Sequence, residues 1–217
     1  MKKLFAVVFI CLSLSAVALD GNQKPKTVLE KFKNGFVSPL KNYEVCYLIR
    51  RTNPDDSEAP REIWLYPLKA SARKPILLCG FVRDADVLFS PDENWIAVND
   101  WIGSNVSEII LFKKVTDFRY VRMKDIDPGT TAWILLEKEA SIKGTPSSLT
   151  HAYSEVKKWA GSSTSFILAL NGRTDENYEI TDWFCTFDLQ TMKACLTPKQ
   201  REKNKGAVHF NKHKKPE

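Results

Sequence analysis

Between Asp86 and Met123 the apolar residues come in short runs broken by turn formers: DVLFS, the turn PDEN, WIAVNDW, IGSN, SEIILFKK, VTD and FRYVRM. Val, Ile, Phe, Trp and Tyr dominate the runs, and Pro, Gly, Asn and Asp fill the gaps. That pattern predicts four strands joined by tight turns, an antiparallel meander. The plan recurs upstream in YEVCYLIR (43–50), REIWLYPL (61–68) and PILLCGF (75–81). It recurs downstream in HAYSEVKKW (151–159), SFILAL (165–170), ITDWFCTFDL (180–189) and KACL (193–196). Each unit holds an aromatic-rich strand, a turn and a closing strand. Aligning Tyr66, Phe112 and Phe187 gives steps of 46 and 75 residues, so the second step contains an insertion.

The insertion reads DPGTTAWILLEKEASIKGTPSSLT (127–150). Thr130 or Thr131 can cap a helix near 130–142, ended by Gly144 and Pro146, with Trp133, Leu136 and Ala140 turned to the sheet. A second, short helix is predicted over Thr27–Phe36, where Val28, Leu29, Phe32 and Phe36 fall at helical spacing. The predicted fold class is therefore mainly β, built of consecutive antiparallel four-stranded meanders with one inserted helix.

FSPDENWIAV (89–98) resembles the opening motif of WD-like and Tol-system-type β-propeller repeats, in which an S-P-D-x-x turn joins an outgoing aromatic strand to a buried one. FDLQTMKACL (187–196) resembles their closing hairpin. Over residues 43–197 the larger pattern is similar to small exported bacterial proteins of unassigned function. The resemblance implies blade-like sheets and carries no activity with it. Three units fall short of the four or more blades a propeller closes with, which implies a partial or open propeller, a stack of meanders or a sandwich of related sheets.

The first 18 residues, MKKLFAVVFICLSLSAVA, hold Lys2 and Lys3, an apolar stretch from Leu4 to Leu14 and an A-x-A signal at Ala16–Ala18. This is the pattern of a secretory signal peptide of bacterial type, predicting export to the periplasm or medium and a mature chain from about Leu19. The apolar run is shorter than the ~20 residues of a membrane span, and none is expected after cleavage. The expected organisation is a leader (1–18), an N-terminal segment (19–42), a β-rich domain (43–197) and a tail (198–217).

Charge changes the picture only at the end of the chain. The net charge is +6, yet residues 19–197 carry 23 bases against 24 acids, and the tail carries seven against two. PKQREKNKGAVHFNKHKKPE has few apolar residues and no periodicity, so the tail is expected to be disordered and basic, able to contact anionic surfaces.

Export leaves Cys46, Cys79, Cys185 and Cys195, which allow three disulfide pairings or four buried thiols. Cys185 and Cys195 flank the hairpin WFCTFDLQTMKACL. A three-residue loop at Leu189–Thr191 sets them opposite one another within disulfide reach, whereas a two-residue loop sends them to opposite faces.

No nucleophile elbow, phosphate loop, HExxH or dinucleotide fingerprint occurs, and no catalytic residue, cofactor or metal is assigned. Ser154 and Lys157 match S-x-x-K but lie in an alternating stretch that puts them on opposite faces. Asp84, Asp86, Asp92 and Glu93, and Asp125 with Asp127, cluster at turns without a calcium-loop pattern, and His151 has no evident carboxylate partner. Six tryptophans (Trp64, Trp95, Trp101, Trp133, Trp159 and Trp183) fit inter-sheet cores or an aromatic platform. The loop holding Asn99, Asp100, Trp101 and Asn105 is the candidate platform. The functional expectation is an exported, non-enzymatic interaction module for a protein or envelope polymer. An envelope hydrolase with a carboxylate site, and an electrostatic adhesin acting through the tail, are the alternatives.

Overall fold

The computed structural model describes residues 27–53, 55, 58–69, 73–142, 149–174 and 178–210. The expected leader (1–18) therefore lies outside the described residues, as do residues 211–217. The first sheet has strands β1 (Val28–Val37), β2 (Tyr43–Arg51), β3 (Arg61–Pro67) and β4 (Ile76–Phe81) in sequence order, all antiparallel. The expected helix at 27–36 is thus a strand, and the N-terminal segment belongs to the first sheet. Residues four apart share a face in a strand as well as in a helix, and Phe32 and Phe36 do so here, their rings against Phe81 and Phe89. Two register shifts, after Lys31 and after Lys33, bend β1. Gly35 sits in that bend, where a Cβ would lie 1.9 Å from the Val45 carbonyl oxygen. Only glycine permits so close an approach.

The second sheet runs β5 (Asp84–Phe89), β6 (Trp95–Trp101), β7 (Glu108–Thr116) and β8 (Arg119–Arg122). The third runs β9 (Leu149–Trp159), β10 (Ser165–Thr174), β11 (Tyr178–Asp188) and β12 (Lys193–Cys195). Strand propensity and alternation place all three meanders where the sequence pattern puts them. Along β6 alternate side chains serve two different cores. Ile96 and Val98 join Tyr43, Val45, Ile63 and Leu65 of the first sheet. Ala97 joins Leu111, Phe166, Leu168 and Phe187 on the other side. The second sheet is therefore packed on both faces, and the three sheets, none closed, form an open stack of blade-like meanders.

Helix α1 (Pro128–Ala140) is the insertion, lying between the second and third sheets with Ala132, Trp133 and Leu136 buried in their shared core. Its cap is Asp127 rather than Thr130 or Thr131: the Thr130 N–H donates to Asp127 Oδ1 at 2.9 Å, and Pro128 occupies the first turn, where a missing N–H costs nothing. Trp133 seats on Gly172 of β10, where a Cβ would stand 3.1 Å from the indole and 2.2 Å from the His151 carbonyl oxygen.

The tail is ordered across its described part, against expectation. Helix α2 (Pro198–Lys203) starts with a reciprocal capping box between Thr197 and Gln200. Strand β13 (Val208–Phe210) then pairs with β11. The outer edge of β11 is covered in pieces: β12 pairs with Thr186–Asp188, and β13 with Tyr178–Ile180. Between them the Asn204 side chain accepts from Phe184 N–H and donates to Phe184 C=O, both at 2.8 Å. The fourth strand of this sheet is split around a helix, so residues 198–210 belong to the β domain.

Candidate functional site

The loop singled out in the sequence is not one constellation. Asn99 and Asp100 are neighbours on β6 and so point to opposite faces. Asn99 is buried, and its amide accepts from Val156 N–H at 2.8 Å and donates to Val156 C=O at 3.1 Å. Asp100, 6% exposed, faces the other way, and its Oδ1 has no hydrogen-bond partner. Burial above all raises its pKa; the Val82 amide draws it back, Glu108 adds to the rise and Arg122 opposes it. Trp101 is half-buried and the Asn105 side chain is exposed. The Asn105 carbonyl accepts from Ala152 N–H at 2.8 Å.

These contacts form a seam. Alternate residues of β9 present their backbone toward the second sheet. Ala152 meets Asn105 and Ser107, Ser154 exchanges hydrogen bonds with the Ser107 hydroxyl, and Val156 meets Asn99. Side chains and loop backbone thus replace the strand that would otherwise satisfy this edge.

The first and second sheets are joined in the same region by a charge. Lys33 of β1 reaches β5, donating to Asp84 Oδ1 at 2.6 Å, to Asp86 Oδ1 at 3.1 Å and to the Ala85 carbonyl, with its ammonium 4.5 Å from the centre of the Tyr47 ring. Tyr47 itself is buried and accepts the Val87 N–H, and burial raises its pKa.

Where β1, β5 and β9 converge they leave a groove of about 450 Å³. Lys33, Asn34 and Asp86 line one side, Glu155 and Lys157 the other, with Phe36 and Tyr47 as aromatic wall. The lysines are already paired, Lys33 with the two aspartates and Lys157 with Glu155 at 2.5 Å. The groove therefore offers both charge signs in fixed places beside aromatic surface. In each sheet the first strand has a hydrogen-bonded strand on one side only. On β9 the other side is occupied by the seam, whereas among the described residues β1 has no strand along its second edge.

The remaining sequence candidates take structural roles. Asp92 holds the SPDENW turn, accepting from Ser90 Oγ at 2.6 Å and from Asn94 N–H at 3.0 Å; burial acts to raise its pKa, but these bonds and one to Ser163 outweigh it and lower it. Ser154 Oγ receives the Trp133 indole N–H at 3.0 Å, and Lys157 is the extra residue of a bulge opposite β10, between Val156 and Lys158. His151 stacks beside Tyr153. Trp133 and Trp183 are core, and the other four tryptophans are half-buried. No group of three metal-ligating side chains occurs among the described residues.

The 185–195 pairing is corrected by the register. Asp188 pairs with Lys193, so the loop has four residues, and Cys195 stands opposite Thr186. Cys185 then points to the other face: it is buried, Cys195 is exposed, and the four described cysteines are free thiols outside disulfide distance of each other. Met192, at φ 55°, takes the left-handed position that closes the longer turn.

Sequence reasoning missed two residues. Glu93 was placed only in an acidic cluster, yet it is fully buried at φ 54°, and its carboxylate accepts from Leu40 N–H and Asn42 Nδ2 at 2.7 Å each. It locks the second sheet's opening turn onto the β1–β2 loop. Lys33 gave no signal, because a lysine between the apolar positions of an expected short helix reads as solvated. Comparison with protein-family models, with curated proteins and with solved structures gave no match.

Proposed function

We propose that this chain is an exported, non-enzymatic interaction module that holds an extended segment of a partner protein, or of an envelope polymer, in the groove between β1, β5 and β9. The observation that carries the proposal is the pairing of the groove's charges. Lysines engaged by Asp84, Asp86 and Glu155 make poor nucleophiles and bases but good recognition points for a segment of alternating charge. The edge of β1 adds main-chain donors and acceptors to which an extended segment can add as a strand. The resemblance to propeller repeats agrees with this placement, since blades in such proteins stand around a central channel. Export rests on the composition of residues 1–18, and the mature N-terminus then falls near Leu19.

The test is affinity capture from the exporting cell, with the mature protein as bait and Asn34→Trp as a groove-filling control. Asn34 is exposed, so the bulky ring obstructs the groove without entering the core. A partner retained by the unmodified protein and lost by the variant supports the proposal. An identical set of captured partners overturns it.

A further inference from the structure

The outward face of the third sheet carries a second cleft, of about 340 Å³, between the far end of β9 and helix α2. Its floor includes Ile167 and Phe184, and its rim holds Lys157, Lys158, Lys199 and Lys203, with no carboxylate among the lining residues. Four cations around one small cavity repel each other, and an anionic ligand relieves that repulsion.

The lysines differ in what already engages them. Lys157 is bound to Glu155, and the Lys203 ammonium rests 3.6 Å from the centre of the Phe184 ring. Among the described residues Lys158 and Lys199 have no ion-pair partner. Both are exposed and free to turn toward a ligand. Nor are they carried on a loose tail. Gln200 is buried and donates to Thr186 Oγ1 at 3.0 Å, and Asn204 grips Phe184, so α2 is fixed to the sheet. The cleft combines a preformed apolar floor with a cationic rim, and its volume lies in the range of about 300–1,000 Å³ usual for small-ligand sites.

We infer that this cleft binds a phosphate ester on an apolar or aromatic stem, the phosphate taken by Lys158 and Lys199 and the stem laid on Ile167 beside Phe184. A dianionic phosphate accepts charge-assisted hydrogen bonds from two ammonium groups at once. The stem distinguishes the site from a patch that merely collects anions. A free phosphorylated small molecule and the headgroup region of an anionic lipid both supply this chemistry.

Titration calorimetry with phenyl phosphate and with inorganic phosphate, and sedimentation with vesicles of phosphatidylcholine containing phosphatidate, test it in two arms. The protein carries Lys158→Glu/Lys199→Glu in one variant and Lys205→Glu, outside the cleft, in another; thermal unfolding confirms that both fold. Saturable binding of phenyl phosphate, tighter than that of inorganic phosphate and weakened by about tenfold or more in the double variant, supports a free ester as ligand. Vesicle binding without phenyl phosphate binding, lost in the double variant alone, supports the lipid source. Absence of binding in both arms at millimolar ligand, or an equal loss in Lys205→Glu, overturns the inference.

Discussion

Asn99 and Val156 are joined as if they were partners in one sheet, although they belong to two: the Asn99 amide makes both hydrogen bonds to the Val156 peptide groups, at 2.8 and 3.1 Å. A primary amide has the same donor and acceptor as a peptide unit, so one asparagine substitutes for one residue of a missing strand. Asn204 does the same for Phe184 on the far edge of the third sheet. Both asparagines stand at a strand edge that no further strand among the described residues satisfies.

The Asn99→Ala variant tests this at the inner seam. It leaves the N–H and C=O of Val156 unsatisfied beside a side chain that is 1% exposed. Each orphaned buried group costs about 1–3 kcal/mol, and the expected loss of stability is about 2–4 kcal/mol. Denaturant unfolding checks it: the midpoint falls while the slope is unchanged. A loss below about 1 kcal/mol means that water replaces the amide and the seam is not closed.

Truncation after Thr197 makes the corresponding test at the outer edge. A disordered tail is removed without consequence, whereas here the cut strips β13 from β11 and uncovers Phe184, Ile180 and Trp183. It also takes away Gln200, Asn204 and the buried Ala207. The expected outcome is a loss of about 3 kcal/mol or more, or failure to accumulate as folded protein. Thermal unfolding identical to that of the full chain contradicts the docking of α2 and β13.

Asp100 gives a pH dependence of defined sign. Burial, helped by Glu108, raises its pKa above the ordinary carboxylate value, so the folded state favours the protonated acid. Its contribution to stability is fully present below the unfolded pKa, about 3.9, and is lost as pH rises through the folded pKa. Asp100→Asn keeps the shape and removes the buried charge. The variant is expected to be more stable than the parent at neutral pH and indistinguishable from it at roughly pH 3. Melting temperatures across that range decide the matter, and a variant that loses stability at neutral pH shows that the charge is needed.

The strand plan was legible because Tyr43, Val45 and Tyr47 alternate as a half-buried strand requires, while WIAVNDW is a short β-rich run bounded by turn formers. The β1 segment was misread because Phe32 and Phe36, four apart, satisfy a helix and a strand equally. The tail was misread because its order rests on few apolar atoms: Gln200 and Asn204 dock through amides, and Ala207 through one methyl group. Composition registers none of that. The candidate platform divided because β6 is packed on both faces, so adjacent polar residues went to different environments. The groove could not be read at all, since Lys33, Asp86 and Glu155 lie far apart in the chain and meet only when three sheets are stacked.

The hairpin around Leu189 shows how much one residue of loop length decides. With Asp188 paired to Lys193 the four-residue turn sets Cys195 opposite Thr186, and Cys185 faces the core. Burial pushes the Cys185 thiol up to about 12, with Cys195 adding slightly, and burial with Asp100 does the same to Cys79. Cys46 is half-buried and also raised, by burial and then by Glu44. Because the thiolate is the attacking species, native protein at about pH 8 is expected to alkylate first at exposed Cys195 and then at Cys46. Cys79, half-buried and with its thiol raised further than that of Cys46, follows more slowly, and Cys185 reacts only as fast as the protein opens. Peptide mapping of a timed alkylation series gives the order directly, and a denaturant well below the midpoint leaves it unchanged. Early modification of Cys185 requires its buried face to open, and a peptide in which it is linked to Cys195 under non-reducing conditions requires the β11–β12 register to slip by one residue. Such a slip leaves Phe187 in place, held by its pairing with Phe166 of β10, but turns Ala194 and Leu196 away from the core and Lys193 toward it. The cost of losing the core contacts of Leu196 and Ala194 while turning the Lys193 charge inward is what holds the two cysteines on opposite faces.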